Sequence, residues 1–294
     1  MKKVIIMVAA AAAILGAPVP RAGCEQVSFA SLDADLTGGA PTRLDAALFR
    51  PAGPGPFPAV VALHGASGLS GKDGLYGNYL DWGARLRDAG FVVLFPDSFR
   101  PRGLDHGVAT LKRDPAPPGR ERIRDAYGAL RYLQSLPWVR PDRIGLLGWS
   151  HGGSTVLAAV DAGLGLRPSA PERNFQVAVA FYPGTWRQLK QPSWRPAVPL
   201  SIFIGMKDDW TPAEGCAKLA ERAHAQGEAL ELVTYPGAWH GFDAPDVPVH
   251  VRAGVNSRTG RATVGTDPAA RQDALARVTG IFLQVLEARQ GNYP

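Results

Sequence analysis

The sequence predicts an α/β fold in which a mostly parallel, eight-stranded sheet is flanked by helices on both faces. Three observations lead there. Eight short runs rich in apolar and β-branched residues recur along the chain, each bounded by Gly or Pro. Segments with apolar residues at helical spacing lie between most of the later runs, and that alternation is the mark of strand–helix–strand units. No Ser/Gly linker or charge run divides the chain after Cys24, so residues 24–294 read as a single domain.

The strands are expected at residues 26–31, 44–49, 59–63, 91–95, 143–147, 177–182, 200–205 and 230–235. Helices are expected at 76–89, 121–136, 151–163, 212–225 and 268–288. In Thr211-Pro212-Ala213-Glu214 a capping Thr precedes Pro at the first helical position, which places the start of the fourth helix. Two long irregular stretches, 98–120 and 243–266, read as loops near a site.

The 294 residues are enough for a sizeable core. Residues 1–23 have the composition of a signal peptide: Lys2 and Lys3, an apolar run from Val4 to Leu15, then Gly16, Ala17, Pro18 and Pro20. Cleavage is expected near Ala22 or Gly23, with Ala17 as an alternative. The mature protein would then be exported, to the periplasm or beyond. Arg21-Ala22-Gly23-Cys24 also resembles the end of a lipoprotein leader, although Arg21 stands where an aliphatic residue is expected. No later stretch is long and apolar enough for a membrane helix.

The formal charge is +6; Lys2, Lys3 and Arg21 lie in the leader, which has no acidic residue, so +3 remains after its removal. The basic residues are scattered rather than interleaved with aromatics in a stripe, which argues against a nucleic-acid partner. Two cysteines, Cys24 and Cys216, are too few for a zinc site or a disulfide framework, though in an exported chain they could pair.

Gly148-Trp149-Ser150-His151-Gly152-Gly153 carries the pattern G-x-S-x-G between an expected strand and an expected helix. Small residues flank the serine because bulky ones would clash where a strained strand-to-helix turn lifts the hydroxyl above the sheet. In that context the pattern reads as the nucleophile elbow of an α/β-hydrolase fold rather than an ordinary Gly-rich turn, with Ser150 as the expected nucleophile.

A serine hydroxyl needs a base, normally histidine. In this fold the chain order serine, acid, histidine sets aside His64, His106 and His151. His224 falls within a helix and His250 deep in a loop, whereas His240 follows the last strand and is the expected base. The orienting acid belongs at the end of the seventh strand, where Asp208 and Asp209 are adjacent. Asp208 is the better placed, with Asp209 facing solvent near the helix start. An oxyanion needs two backbone donors, and the expected pair is the amide of His151 and that of Ala66, with Gly65 as alternate, in the loop His64-Gly65-Ala66-Ser67-Gly68.

With these residues in place, the chain resembles the dienelactone hydrolase family over nearly all of its mature length. The resemblance rests on Gly205-Met206-Lys207-Asp208-Asp209-Trp210-Thr211-Pro212, on Ala238-Trp239-His240-Gly241-Phe242 and on the elbow. It implies hydrolysis of small-molecule carboxylic esters or lactones through an acyl-enzyme, without metal or organic cofactor, and it implies Asp208 as the acid. Two departures stand out. The family's founding enzymes carry cysteine where Ser150 stands, and an arginine that holds a substrate carboxylate where Ala244 stands.

Arg102, with Arg100, could supply an anion site instead, and Trp149, Trp210 and Trp239, each beside an expected catalytic position, could wall an apolar pocket. Two other readings compete. A serine peptidase of prolyl oligopeptidase type has a similar elbow but usually a large extra domain. A catalytically silent binding module would have no need of serine, acid, histidine and oxyanion loop together.

Overall fold

The computed structural model describes residues 23–111 and 119–287, so all but the last residue of the expected leader lies outside the described residues. The eight expected strands all form, as β1 (Glu25–Ala30), β2 (Arg43–Phe49), β3 (Phe57–Leu63), β4 (Val92–Pro96), β5 (Val139–Trp149), β6 (Ala178–Phe181), β7 (Leu200–Gly205) and β8 (Leu230–Tyr235). They make one sheet in the order β1-β2-β4-β3-β5-β6-β7-β8.

Both pairings of β2 are antiparallel and every other pairing is parallel. The cause lies in the connections. No crossover helix links β1, β2 and β3, whereas α1 (Gly77–Asp88), α2 (Arg120–Gln134), α3 (His151–Ala159) and α4 (Ala213–Ala225) each return the chain from one strand to the next. Central strands β4, β6 and β7 are buried at every residue, which requires cover on both faces. Helix α5 (Pro268–Phe282) lies beside α1, tied by Arg271 to Asp81 at 2.7 Å, and α2 lies beside α3, tied by the Tyr127 hydroxyl to the Ala159 carbonyl at 2.9 Å.

Two expectations need correction, and one open question, the state of the cysteines, is answered. The stretch 243–266 is not irregular: it contains the antiparallel hairpin β9 (His250–Ala253) and β10 (Arg261–Val264). Thr211 does not cap α4, because its hydroxyl donates to the Tyr182 carbonyl and lies 3.2 Å from His240 Nδ1. Cys24 and Cys216 are both free and buried, since Cys24 precedes the edge strand β1 while α4 packs on β7 and β8 at the opposite end of the sheet. Of the other long stretch, 98–120, residues 112–118 lie outside the described residues.

Among the described residues no helix is long and apolar enough to cross a membrane, and no group of three or more His, Cys, Asp or Glu could hold a metal ion.

Candidate active site

The parallel strands β5, β7 and β8 end at the same edge of the sheet, and each delivers one polar side chain there. Ser150 follows β5 at φ +54° and ψ −113°, a backbone conformation that a non-glycine residue adopts only under constraint. The glycines around it are steric necessities. A Cβ on Gly152 would lie 2.0 Å from the Leu63 carbonyl oxygen, one on Gly148 2.5 Å from the Gly152 oxygen, and one on Gly153 2.7 Å from the Phe181 oxygen.

His240 follows β8, and its Nε2 lies 3.0 Å from Ser150 Oγ. Its Nδ1 lies 2.7 Å from Asp208 Oδ2. The Asp208 side chain is fully buried, and its Oδ1 accepts from the backbone amides of Trp210 (2.9 Å) and Thr211 (2.8 Å), which fixes the carboxylate plane. Asp209 is exposed and accepts from both the amide (2.7 Å) and the hydroxyl (2.8 Å) of Thr263 on β10. The two adjacent carboxylates therefore serve different elements, and the one near the imidazole is Asp208.

The loop after β3 lies against the elbow, where a Cβ on Gly65 would come within 3.6 Å of Ser150 Cβ. The Gly65 amide donates to the Tyr79 hydroxyl oxygen at 2.8 Å, which removes it as an oxyanion donor. No described residue accepts from the Ala66 amide. His151 opens α3, where backbone N–H groups point out along the helix axis.

His64 cannot act as a base. Its Nδ1 holds the Gly65 carbonyl at 2.8 Å and its Nε2 accepts from the Ser98 amide at 3.2 Å, and burial together with the Arg122 charge holds it well below the usual histidine range. Above Ser150 and His240 opens a cavity of about 180 Å³ lined by Ala66, Ser150, Tyr182, Trp210, His240 and Arg252, among others.

A family model described as the dienelactone hydrolase family matches residues 44–286. The chain belongs to the dienelactone hydrolase family. It is a carboxylic-ester hydrolase by that membership. A Bradyrhizobium sp. protein named "Probable 2-oxo-3-(5-oxofuran-2-ylidene)propanoate lactonase" is 28% identical over 215 residues, covering 66% of this chain and 77% of its own. Esterase 2 of Thermogutta terrifontis has the same fold, with a TM-score of 0.62 at 20% identity over 92% of this chain and 98% of that one. An acylaminoacyl peptidase of Pyrococcus horikoshii matches with a TM-score of 0.61 at 15% identity; the alignment covers 92% of this chain but 43% of the peptidase.

Of the three residues expected to bind substrate in this dienelactone hydrolase family member, Trp239 and Arg102 stand away from the cavity, whereas Trp149 is among its lining residues but turns its indole inward. Trp149 is 1% exposed, with its ring stacked between Phe95 and Phe181 and its Nε1 donating to Asp243 at 2.7 Å, so its indole belongs to the core under the elbow. Trp239 faces Lys207, whose Nζ lies 5.8 Å from the ring centroid, and is not among the cavity-lining residues. Arg102 donates to both oxygens of Asp125 (2.8 and 2.9 Å), to Asp33 (2.7 Å) and to the Ser98 carbonyl (2.8 Å), a part-buried junction that engages both of its terminal nitrogens away from the cavity.

Trp210 lines the cavity as expected, and the structure adds Tyr182, Arg252 and Asp243 around it. Trp210 and Tyr182 flank the imidazole, with ring centroids 4.8 and 4.5 Å from that of His240. Arg252 on β9 lies with its guanidinium carbon 5.5 Å from the Trp210 ring centroid and reaches Ser67 Oγ at 3.4 Å. Asp243 is fully buried and accepts from Trp82 (2.8 Å), Trp149 (2.7 Å) and the Tyr182 hydroxyl (2.6 Å). Of Tyr182, Arg252 and Asp243, only Asp243 had a sequence signal, a carboxylate three positions after the expected base.

Proposed function

We propose that this dienelactone hydrolase family member cleaves carboxylic esters or lactones through an acyl-enzyme on Ser150. One observation carries the reading: Asp208 Oδ2, His240 Nδ1 and Nε2, and Ser150 Oγ form an unbroken hydrogen-bonded chain with steps of 2.7 and 3.0 Å. That geometry suits general-base activation of the hydroxyl.

Ser150 Oγ attacks the ester carbonyl carbon while His240 Nε2 takes its proton. The carbonyl oxygen becomes an oxyanion that accepts from the Ala66 and His151 amides, and Asp208 stays ionised beside the imidazolium. His240 then gives the proton to the departing alkoxide, which in a lactone remains tethered to the acyl group. A water that loses its proton to His240 attacks the acyl-enzyme, a second oxyanion forms, and its collapse frees the acid as Ser150 recovers the proton.

The cavity of about 180 Å³ suits a short acyl group. Arg252 lends its wall positive charge, which favours substrates carrying an anionic group. The propanoate in the name of the Bradyrhizobium relative points the same way. The reading of residues 1–23 as a leader makes the enzyme an exported one, to be tested by N-terminal sequencing of the mature protein from a periplasmic fraction.

The test of the reaction is labelling by a fluorophosphonate probe, together with turnover of a panel of aryl esters, lactones and peptides. Ser150→Ala is expected to lose the label and several powers of ten in turnover while keeping its thermal transition. A variant that kept more than about a tenth of wild-type turnover would remove Ser150 as nucleophile.

A further inference from the structure

Arg122, on α2, is a fully buried guanidinium that forms no ion pair among the described residues. Its Nη2 donates to the His64 carbonyl at 2.6 Å, its Nη1 lies 2.6 Å from His151 Nδ1, and its Nε has no hydrogen-bond partner among the described residues. Asp125, three residues further along the same helix, is bound to Arg102. Burial pushes its pKa down to about 10, which still leaves it charged at neutral pH. A buried charge without a close counter-ion is a poor way to stabilise a fold, since an apolar side chain of similar volume does as well or better. Such a group calls for a functional reason.

The reason lies in what its two ends hold. The His64 carbonyl belongs to the first peptide of the loop that carries Ala66, and that peptide is gripped at both ends, by Arg122 at its oxygen and by Tyr79 at the Gly65 amide. The next peptide has the Gly65 oxygen held by His64 Nδ1 at one end and the Ala66 N–H at the other, so fixing the loop aims that N–H. The second contact of Arg122 is the ring of His151, whose own backbone amide is the other donor of the proposed oxyanion site. A single planar fork thus spans the two chain segments, one after β3 and one after β5, that must present two N–H groups to one atom.

We propose that Arg122 is a positioning residue for the oxyanion site, holding its Ala66 half and its His151 half in register. This rests on the acyl-enzyme reading above. Lysine cannot replace it, because a single ammonium lacks the rigid two-nitrogen fork.

The test uses the full mature chain, p-nitrophenyl acetate as substrate, and a trifluoromethyl ketone, which adds to the serine and places an oxyanion in the same site. In Arg122→Met and Arg122→Lys, with folding checked by near-ultraviolet circular dichroism, kcat is expected to fall roughly 30- to 100-fold, below the loss from deleting an oxyanion donor outright. KM should stay within about threefold, and ketone affinity should weaken in step with kcat/KM. A merely structural strut would lower the thermal transition and leave kcat and ketone affinity in the folded protein alone; that outcome overturns the proposal.

If neither Arg122 variant folds, the decision passes to His151→Leu, which keeps the backbone amide and removes the guanidinium's side-chain partner. A smaller loss of the same pattern supports the proposal, and kcat and ketone affinity within about threefold of wild type overturn it. A wild-type protein that hydrolyses no ester sinks the acyl-enzyme reading and this inference with it, whereas an active wild type with unaffected variants sinks this inference alone.

Discussion

Asp208 and Asp209 are neighbours in the chain, yet Asp208 Oδ2 lies 2.7 Å from His240 Nδ1 while Asp209 accepts two bonds from Thr263. The division follows from the turn after β7. Asp208 Oδ1 caps the amides of Trp210 and Thr211, which rolls its carboxylate inward, and the next side chain is left facing the hairpin. Asp208→Asn is expected to lower turnover of an activated ester on the order of a thousandfold or more, by presenting the imidazole with a donor where it needs an acceptor. Asp209→Asn should cost less than about tenfold, since it loosens only an exposed hairpin contact worth about 1 kcal/mol. The reverse ranking would move the acid to Asp209.

Gly152→Ala tests the steric argument for the elbow. A methyl group 2.0 Å from the Leu63 carbonyl oxygen must push the β3 end and α3 apart, and neither is a flexible side-chain tip. The expected loss of stability is about 3 kcal/mol or more, read as a lowered urea midpoint, with activity lost even in the protein that remains folded. An unaltered midpoint would mean that the elbow and β3 are less closely packed than the 2.0 Å approach requires.

Asp243 gives the fold a pH dependence with a definite sign. Burial raises its carboxyl pKa above the ordinary aspartate value, and the bonds from Tyr182, Trp82 and Trp149 only partly oppose this. The protonated form is therefore favoured in the folded state. Its contribution to stability is complete below the unfolded pKa and is lost as pH rises through the folded one. In urea titrations the stability gap between wild type and Asp243→Asn should narrow as pH is raised from about 4 towards 7. A gap that widened instead would show that the fold favours the ionised carboxylate. Asp243→Ala, which leaves three buried donors without their acceptor, should cost on the order of 3–5 kcal/mol near pH 4, and that gap should narrow with pH as the Asn gap does.

Arg252 should separate substrates by charge. For p-nitrophenyl esters matched in size, one with a terminal carboxylate and one without, Arg252→Gln is expected to raise KM for the anionic ester roughly 10- to 100-fold, the worth of one charge-assisted hydrogen bond of about 1.5–3 kcal/mol. The neutral ester should change by less than about threefold. Equal effects on both would leave Arg252 as a wall of the cavity without a role in selecting charge.

What the sequence determined by itself was whatever local chemistry compels. Runs of apolar residues set the eight strands to within a few residues, most sharply in the central strands, where burial on both faces leaves little choice of composition. The elbow was legible because glycines must stand where a Cβ would meet backbone, and the positions of Asp208 and His240 followed from which strands end at the edge that carries Ser150.

Only the tertiary structure decided which neighbouring side chains reach the cavity. Arg102 and Arg252 are alike as letters, but two buried aspartates claim the first, while a hairpin that closes about a hundred residues after Ser150 carries the second over Trp210. Trp149 adjoins Ser150 and Trp210 follows Asp208 by two residues, yet the last residue of β5 turns its ring into the aromatic core and the loop after β7 turns its ring towards His240. Periodicity and steric exclusion act between residues close in the chain. The direction of a loop side chain and the partner of a buried charge depend on segments brought together from far apart, and no local pattern records them.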